Sequence, residues 1–277
     1  MKCAWDKLLM ILPPRIRTTV DRIGRIDLQE LRFRLDRPTE LVLKNDSKWL
    51  EEACSEEDIH FVVNTSSKYS PWAAQTIAQG YITAPGGHRV GLCGYVVVKN
   101  GDVVGIRQPE SLCVRVARDY LGIAARGKHM EGNILILGPP GSGKTTLLRD
   151  WIRQISNSSA GSVAVIDERN ELFPHGLFDP GKRTDIQSGC DKPRGIEMVL
   201  KTMGPETIAV DEITSDKDCV ALTEAGWCGV RLVATAHAAT VADLRGKTVY
   251  KKLLDTGLFT NAVVLRKDKT WNLERLL

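Results

Sequence analysis

Gly138, Pro139, Pro140, Gly141, Ser142, Gly143, Lys144 and Thr145 follow one another in the chain. Their spacing, Gly-x-x-x-x-Gly-Lys-Thr, is the P-loop pattern. Glycine lacks a Cβ, so such a loop can wrap closely around a phosphate chain. Its N–H groups and the N-terminus of the following helix turn partial positive charge toward the anion. Lys144 is placed to reach the β- and γ-phosphates and Thr145 to set its hydroxyl on Mg2+. Thr146 continues the cradle. The chemistry expected here is binding of ATP with Mg2+.

Three further boxes carry acids or imidazole. Thr207-Ile208-Ala209-Val210-Asp211-Glu212 is an apolar run ending in two acids. Asp211 suits magnesium, and Glu212 can orient or activate the attacking water. Val163–Ile166 is followed by Asp167, Glu168 and Glu171, which makes these acids candidates for the same site. Leu232–Ala234 leads into Thr235-Ala236-His237, which brings Thr235 and His237 near the γ-phosphate, although a lone histidine is as readily structural.

All four boxes sit at the ends of apolar runs. In a parallel sheet, strand C-termini share one edge, so these runs must be neighbouring strands for the residues to meet. The expected strands are 133–137, 162–166, 207–210, 230–234 and 262–265, alternating with helices in an α/β pattern. Residues 1–125 read differently, as an α+β domain with an antiparallel sheet. A short helix is expected over 3–11, stopped by Pro13-Pro14, and strands over 31–35 and 40–43. Helices are expected from 55 to 66, capped by Ser55, and from 72 to 79. A strand–glycine turn–strand–strand series spans 80–98. Asn100-Gly101 then marks a hairpin, followed by short strands 103–107 and 112–116. The fold class is therefore α/β, a parallel-rich P-loop ATPase domain over 126–277 preceded by a smaller α+β domain.

The chain has 277 residues, enough for about two domains, and a formal net charge of +4. Seventeen basic and fifteen acidic residues precede Arg126, and twenty-one and nineteen follow from it, so both halves are +2. No basic tail points to nucleic acid, and aromatic residues are sparse. Seven arginines between Arg15 and Arg37 read as a solvated face or a surface for an acidic neighbour. The seven cysteines show no zinc spacing and are expected as free thiols in a reducing cytosol. The apolar start is too short for a leader, and no run approaches a membrane span.

The ordered set of boxes resembles the secretion ATPases of type II and type IV systems. Within them it resembles the stage III sporulation protein AA family of endospore-forming bacteria. The likeness rests on Gly138–Asp150, Val165–Leu172, Arg183-Thr184-Asp185, Ile208–Ile213 and Ala234–Ala238. N-terminally it rests on Leu31–Pro38, Thr83–Gly94 and Ser111–Arg118. It implies a RecA-like domain in a hexameric ring that hydrolyses ATP. It also implies a peripheral place on the mother-cell, cytoplasmic side of the outer forespore membrane, with sporulation channel membrane proteins as partners. N-domain arginines of such rings reach the nucleotide. Arg89, Arg107, Arg115 and Arg118 are the candidates, with Arg107 and Arg118 put forward. Two features depart from the secretion enzymes: Thr214-Ser215 stand where Arg-Asp is common, and no tetracysteine module is present. The competing reading is a nucleic-acid-dependent P-loop NTPase. Relatives of that kind carry an added C-terminal segment, for which about 12 residues after the last expected strand leave no room.

Overall fold

Pro13-Pro14 does more than end a helix. In the computed structural model, α1 (Trp5–Ile11) stops there and α2 (Pro14–Ile23) begins with Pro14 in its first turn. That position has no intrahelical use for an N–H, and the fixed proline φ is already helical. The structure describes residues 1–67, 77–127, 130–158, 161–174 and 178–276. Most of the helix expected over 72–79 lies outside them. The chain divides into two units, Met1–Asp119 and Tyr120–Leu277.

The first unit is a six-stranded sheet in the order β3-β2-β1-β6-β5-β4, with every pairing antiparallel. Its strands are β1 (Leu28–Arg34), β2 (Pro38–Leu43), β3 (Ser47–Ala53), β4 (Tyr81–Thr83), β5 (Arg89–Lys99) and β6 (Asp102–Arg115). A register shift between Leu28 and Glu30 changes the parity of β1, so Leu28, Leu31 and Phe33 all turn inward. They pack with Ile16 and Val20 of α2 and with Ile59 and Val62 of α3 (Glu56–Ser67). Ser55 caps α3 as expected. Its Oγ accepts from Asp58 N at 3.2 Å, and Asp58 Oδ2 accepts from Ser55 N at 2.9 Å. Asn100 and Gly101 have φ of 55° and 88°, the paired positive values of a two-residue hairpin turn. The strands on either side are longer than the sequence suggests. β6 is one continuous strand where two short ones are expected, and β5 likewise absorbs two.

Three of the seven arginines between Arg15 and Arg37 are ion-paired within their own unit. Arg15 donates to Glu52 at 2.7 Å and pairs with Asp58, while Arg32 pairs with Glu30 at 2.9 Å and Arg34 with Glu40 at 3.0 Å.

His88 is fully buried in this unit. Its Nδ1 accepts from Ala117 N at 3.1 Å, so the ring proton sits on Nε2, 3.0 Å from the Ala4 carbonyl. Burial pushes the imidazole below its ordinary value, helped by the Arg118 charge and opposed by the Ala4 contact. The unfolded chain therefore binds the proton more readily, and stability is present above the unfolded pKa and lost as pH falls through the folded one. Protonation would leave Ala117 N without an acceptor, a loss of about 2 kcal/mol. Thermal unfolding at pH 5 is expected several degrees below that at pH 7.5, with a smaller gap in His88→Gln. An equal gap in both proteins would contradict the assignment.

The second unit holds a seven-stranded sheet in the order β13-β12-β7-β11-β10-β8-β9. Its elements in chain order are β7 (Asn133–Leu137), α4 (Lys144–Asn157), β8 (Val163–Asp167), β9 (Thr184–Ser188), α5 (Lys192–Thr202), β10 (Thr207–Val210) and α6 (Asp216–Trp227). These are followed by β11 (Arg231–Ala236), α7 (Val241–Gly246), α8 (Thr248–Asp255), β12 (Phe259–Leu265) and β13 (Trp271–Arg275). All neighbours pair parallel except β12 with β13. The inner strands are apolar on both sides because both sides are covered. Leu147, Leu148, Trp151, Ile152 and Ile155 of α4 cover one face. Residues of α5, α6, α7 and α8 cover the other. The five expected strands are present, and β9 and β13 are additions at the two edges. All seven cysteines are free. Among the described residues, no helix is long and apolar enough to cross a membrane.

Candidate nucleotide-binding site

The parallel register brings the ends of β7, β8, β10 and β11 to one sheet edge. The loop from β7 to α4 lies there. Three of its features require glycine or suit an anion. A Cβ on Gly138 would stand 2.5 Å from Ser142 Oγ and 2.8 Å from the Leu265 carbonyl. Gly141 and Gly143 hold φ of 72° and 103°. The N-terminus of α4 has no side-chain cap, and the buried Ser142 Oγ has no protein partner. An uncapped helix start with orphaned donors fits phosphate.

Lys144 is only 6% exposed. Its Nζ donates to the carbonyls of Gly138 at 2.9 Å and Pro139 at 3.1 Å, and to His237 Nδ1 at 3.0 Å. A lysine only donates, so Nδ1 is the acceptor and the His237 proton lies on Nε2. Nε2 faces Glu212 Oε1 at 3.1 Å. Lys144, His237 and Glu212 thus form one hydrogen-bonded row. Burial holds the Lys144 ammonium below its ordinary range, against the charges of Asp211 and Glu212, with Lys247 adding to the lowering.

Asp211 forms a second cluster. It accepts from Thr145 Oγ1 at 2.8 Å and from Thr235 Oγ1 at 2.7 Å. Glu212 N donates to Thr235 Oγ1 at 2.8 Å, and Glu212 itself holds φ of 41°, a strained value for a side chain with a Cβ. Thr235 therefore fixes both acids at once. Asp211 and Thr145 together supply one carboxylate and one hydroxyl, the sparse oxygen set that suits Mg2+ completed by substrate phosphates. Among the described residues, no three His, Cys, Asp or Glu side chains converge as a self-sufficient metal site.

The acids after β8 have other partners. Asp167 is buried and accepts from the N–H groups of Glu171, Leu172 and Phe173 at 2.8–3.0 Å. Burial nonetheless raises its pKa, overriding those bonds, with the Asp211 charge adding. Glu168 pairs with Lys192 of α5 at 2.5 Å. Arg149 of α4 donates to the Leu172 carbonyl at 2.6 Å and the Glu171 carbonyl at 3.1 Å, tying this loop to the P-loop helix. Asp167, Glu168, Glu171, Asp211 and Glu212 line one cleft.

Ser215, preceded by Thr214, caps α6. Ser215 Oγ accepts from Asp218 N at 3.2 Å, and Asp218 Oδ2 accepts from Thr214 N and Ser215 N at 2.9 and 3.1 Å.

Of the N-domain arginines, Arg118 is 9% exposed, with its guanidinium spent inside its own unit on the carbonyls of Arg25, Leu28 and Val116 and on Gln29. That placement argues against a nucleotide contact by Arg118. Arg89 lies over the Tyr81 ring, and Arg115 pairs with Glu30 at 3.2 Å. Arg107 is exposed on β6.

Sequence reasoning missed Arg149, Lys192 and Lys247, whose Nζ donates to the His237 carbonyl. Arg149 stands within the stretch Gly138–Asp150, but its contact with the Leu172 carbonyl, like that of Lys192 with Glu168, is reached only through the fold and leaves no trace in spacing.

The sheet order, the P-loop feeding α4 and the acids at neighbouring strand ends define a RecA-like P-loop fold. The same fold is seen in the Legionella pneumophila ATPase DotB, at TM-score 0.62 and 15% identity over 95% of this chain and 80% of that one. The pilus retraction motor PilT, solved with ADP, matches at TM-score 0.62 and 12% identity over 89% of this chain and 76% of that one. Residues 4–273 match the family described as Sporulation stage III, protein AA, and the chain belongs to that family. It is 34% identical over 95% of its length to stage III sporulation protein AA of Bacillus subtilis strain 168, covering 92% of that protein.

Proposed function

We propose that this chain is a Mg2+-dependent ATPase that works as a ring, a hexamer, and energises a secretion-like channel between mother cell and forespore during endospore formation. The observation that carries the reading is the paired cluster at the uncapped start of α4. Lys144, His237 and Glu212 form one row, and Thr145, Asp211 and Thr235 form the other.

Each residue then has a definite task. The N–H groups at the start of α4 bind the phosphate chain. Lys144 exchanges the Gly138 and Pro139 carbonyls for phosphate oxygens. Thr145 and Asp211 would hold Mg2+, which neutralises charge on the phosphates when bound. Glu212 orients the attacking water and accepts its proton, and the Nε2–H of His237 keeps its carboxylate aimed. Glu171 and Glu168 line the same cleft as Glu212 and stand as further acids for the attacking water, Glu168 being held by Lys192. Arg107 is the N-domain residue suited to reach a neighbouring subunit's nucleotide. The membrane role is peripheral, on the cytoplasmic side of the outer forespore membrane, through channel proteins rather than a span of this chain.

A pull-down from sporulating cells tests this. Glu212→Gln, loaded with ATP, is expected to retain channel membrane proteins, and Lys144→Ala is expected to lose them. Recovery of nucleic-acid-processing proteins by both variants would point to the nucleic-acid-dependent NTPase instead. Sedimentation tests the ring separately: a monomer at high concentration with an ATP analogue would count against it.

A further inference from the structure

The turn between β12 and β13 departs from what its own geometry would favour. Lys269 holds φ of 71°, a left-handed value that glycine adopts freely and other residues adopt at a cost. The turn is closed by Lys269 N to the Arg266 carbonyl at 3.1 Å and Arg266 N to the Thr270 carbonyl at 2.9 Å. Asp268 Oδ1 accepts from Thr270 N and Oγ1 at 2.9 and 2.7 Å. None of these bonds uses the Lys269 side chain, so glycine would serve the turn better. The side chain instead crosses to the P-loop, where Nζ donates to the Gly141 carbonyl at 2.5 Å. Its stem passes Gly143, with Cδ 3.9 Å from where a Cβ would stand.

Gly141 is the exposed hinge of that loop. Ser142 N donates to the Pro139 carbonyl at 3.2 Å, which closes a turn with Pro140 second and Gly141, at φ 72°, third. Proline followed by a positive-φ glycine is the pattern of a type II turn. Two glycines, 141 and 143, flank Ser142, and both are free to rotate in the absence of an outside restraint. A loop ordered only when the ligand arrives gives up part of its binding energy to that ordering.

We propose that Lys269 is a positioning residue for the P-loop. By fixing the Gly141 carbonyl outward, it pre-orders the loop that receives the phosphates. Strain at its own backbone is accepted because the side chain is needed there. The proposal rests on the reading of this loop as a nucleotide site. It concerns ADP and ATP equally, because the restrained carbonyl lies on the loop and does not involve the γ-phosphate.

The test is equilibrium binding of fluorescent ATP and ADP analogues to the full chain, with thermal unfolding measured alongside. Lys269→Met is expected to weaken both nucleotides about tenfold, the scale of one charge-assisted hydrogen bond. Lys269→Arg should stay within about threefold of wild type, since it keeps the donor with altered geometry. Lys269→Gly should lose the same affinity as Lys269→Met while unfolding at or above the wild-type temperature, because the backbone strain is relieved. Wild-type affinity in Lys269→Met would overturn the proposal. So would a loss confined to ATP, or a loss in Lys269→Gly that merely tracks a lowered unfolding temperature. A wild-type chain that binds neither nucleotide would sink the ATPase reading itself, a distinct outcome from wild-type binding that Lys269→Met leaves unchanged.

Discussion

Glu212→Gln is expected to stop turnover while leaving ATP bound. The amide keeps the size of the side chain and can still meet His237, but it cannot take a proton from water. Loss of a positioned general base costs about 10² to 10⁴ in rate. Nothing in the Asp211 cluster depends on the Glu212 carboxylate. Glu212 contributes only its backbone N–H to Thr235 and Asp211, and glutamine retains that group. Thr145 and Asp211 therefore keep their geometry, and nucleotide affinity is expected within about threefold of wild type or somewhat tighter, because one negative charge has been removed near the phosphates. Phosphate release and nucleotide retention, measured together, separate this outcome from a general loss of structure. A variant that hydrolyses at the wild-type rate would remove Glu212 from the mechanism and turn attention to Glu168 or Glu171.

Lys144→Ala acts earlier, at binding. The ammonium is buried and already desolvated, so a phosphate oxygen meets it at little further cost. Charge-assisted hydrogen bonds contribute about 1.5–3 kcal/mol each. Removal of this group is expected to weaken ATP binding by at least about a hundredfold and to abolish hydrolysis. The truncation also frees the Gly138 and Pro139 carbonyls and His237 Nδ1. Circular dichroism and thermal unfolding should therefore accompany the binding measurement. A folded Lys144→Ala protein that binds ATP as wild type does would contradict the assignment of this loop.

In the second unit, the strands legible in the sequence are those whose side chains are buried. β7, β8, β10, β11 and β12 are apolar runs because helices cover both faces of the sheet. The three strands that went unread, β3, β9 and β13, are all edge strands. Their residues, Ser47–Ala53, Thr184–Ser188 and Trp271–Arg275, are mostly exposed, so burial imposes no apolar run on them. The long hairpin reads as separate short strands for a related reason. Beyond Leu92 and before Leu112 its residues are mostly exposed, so the burial pattern fades while the ladder continues.

The site divides along the same line. Lys144, Thr145, Asp211, Glu212, Thr235 and His237 stand at the ends of apolar runs, and the parallel sheet brings such ends together. Spacing alone could place them. Arg118 could not be placed that way. Its surroundings are set by the α2–β1 connection, about ninety residues away in the chain, whose carbonyls occupy its guanidinium. Lys192 and Lys269 were unreadable for the same reason, since their partners Glu168 and Gly141 are reached only through the fold. His237 shows what the structure adds. As a lone histidine it was ambiguous, and its position between Lys144 and Glu212 gives its two ring nitrogens different roles.

The most direct measurement is phosphate release by the purified full chain with ATP, at a protein concentration that permits assembly, with Mg2+ and again with chelator. The expected result is steady release that needs Mg2+ and is absent from Lys144→Ala. Equal release from wild type and Lys144→Ala, or release indifferent to the chelator, would contradict it.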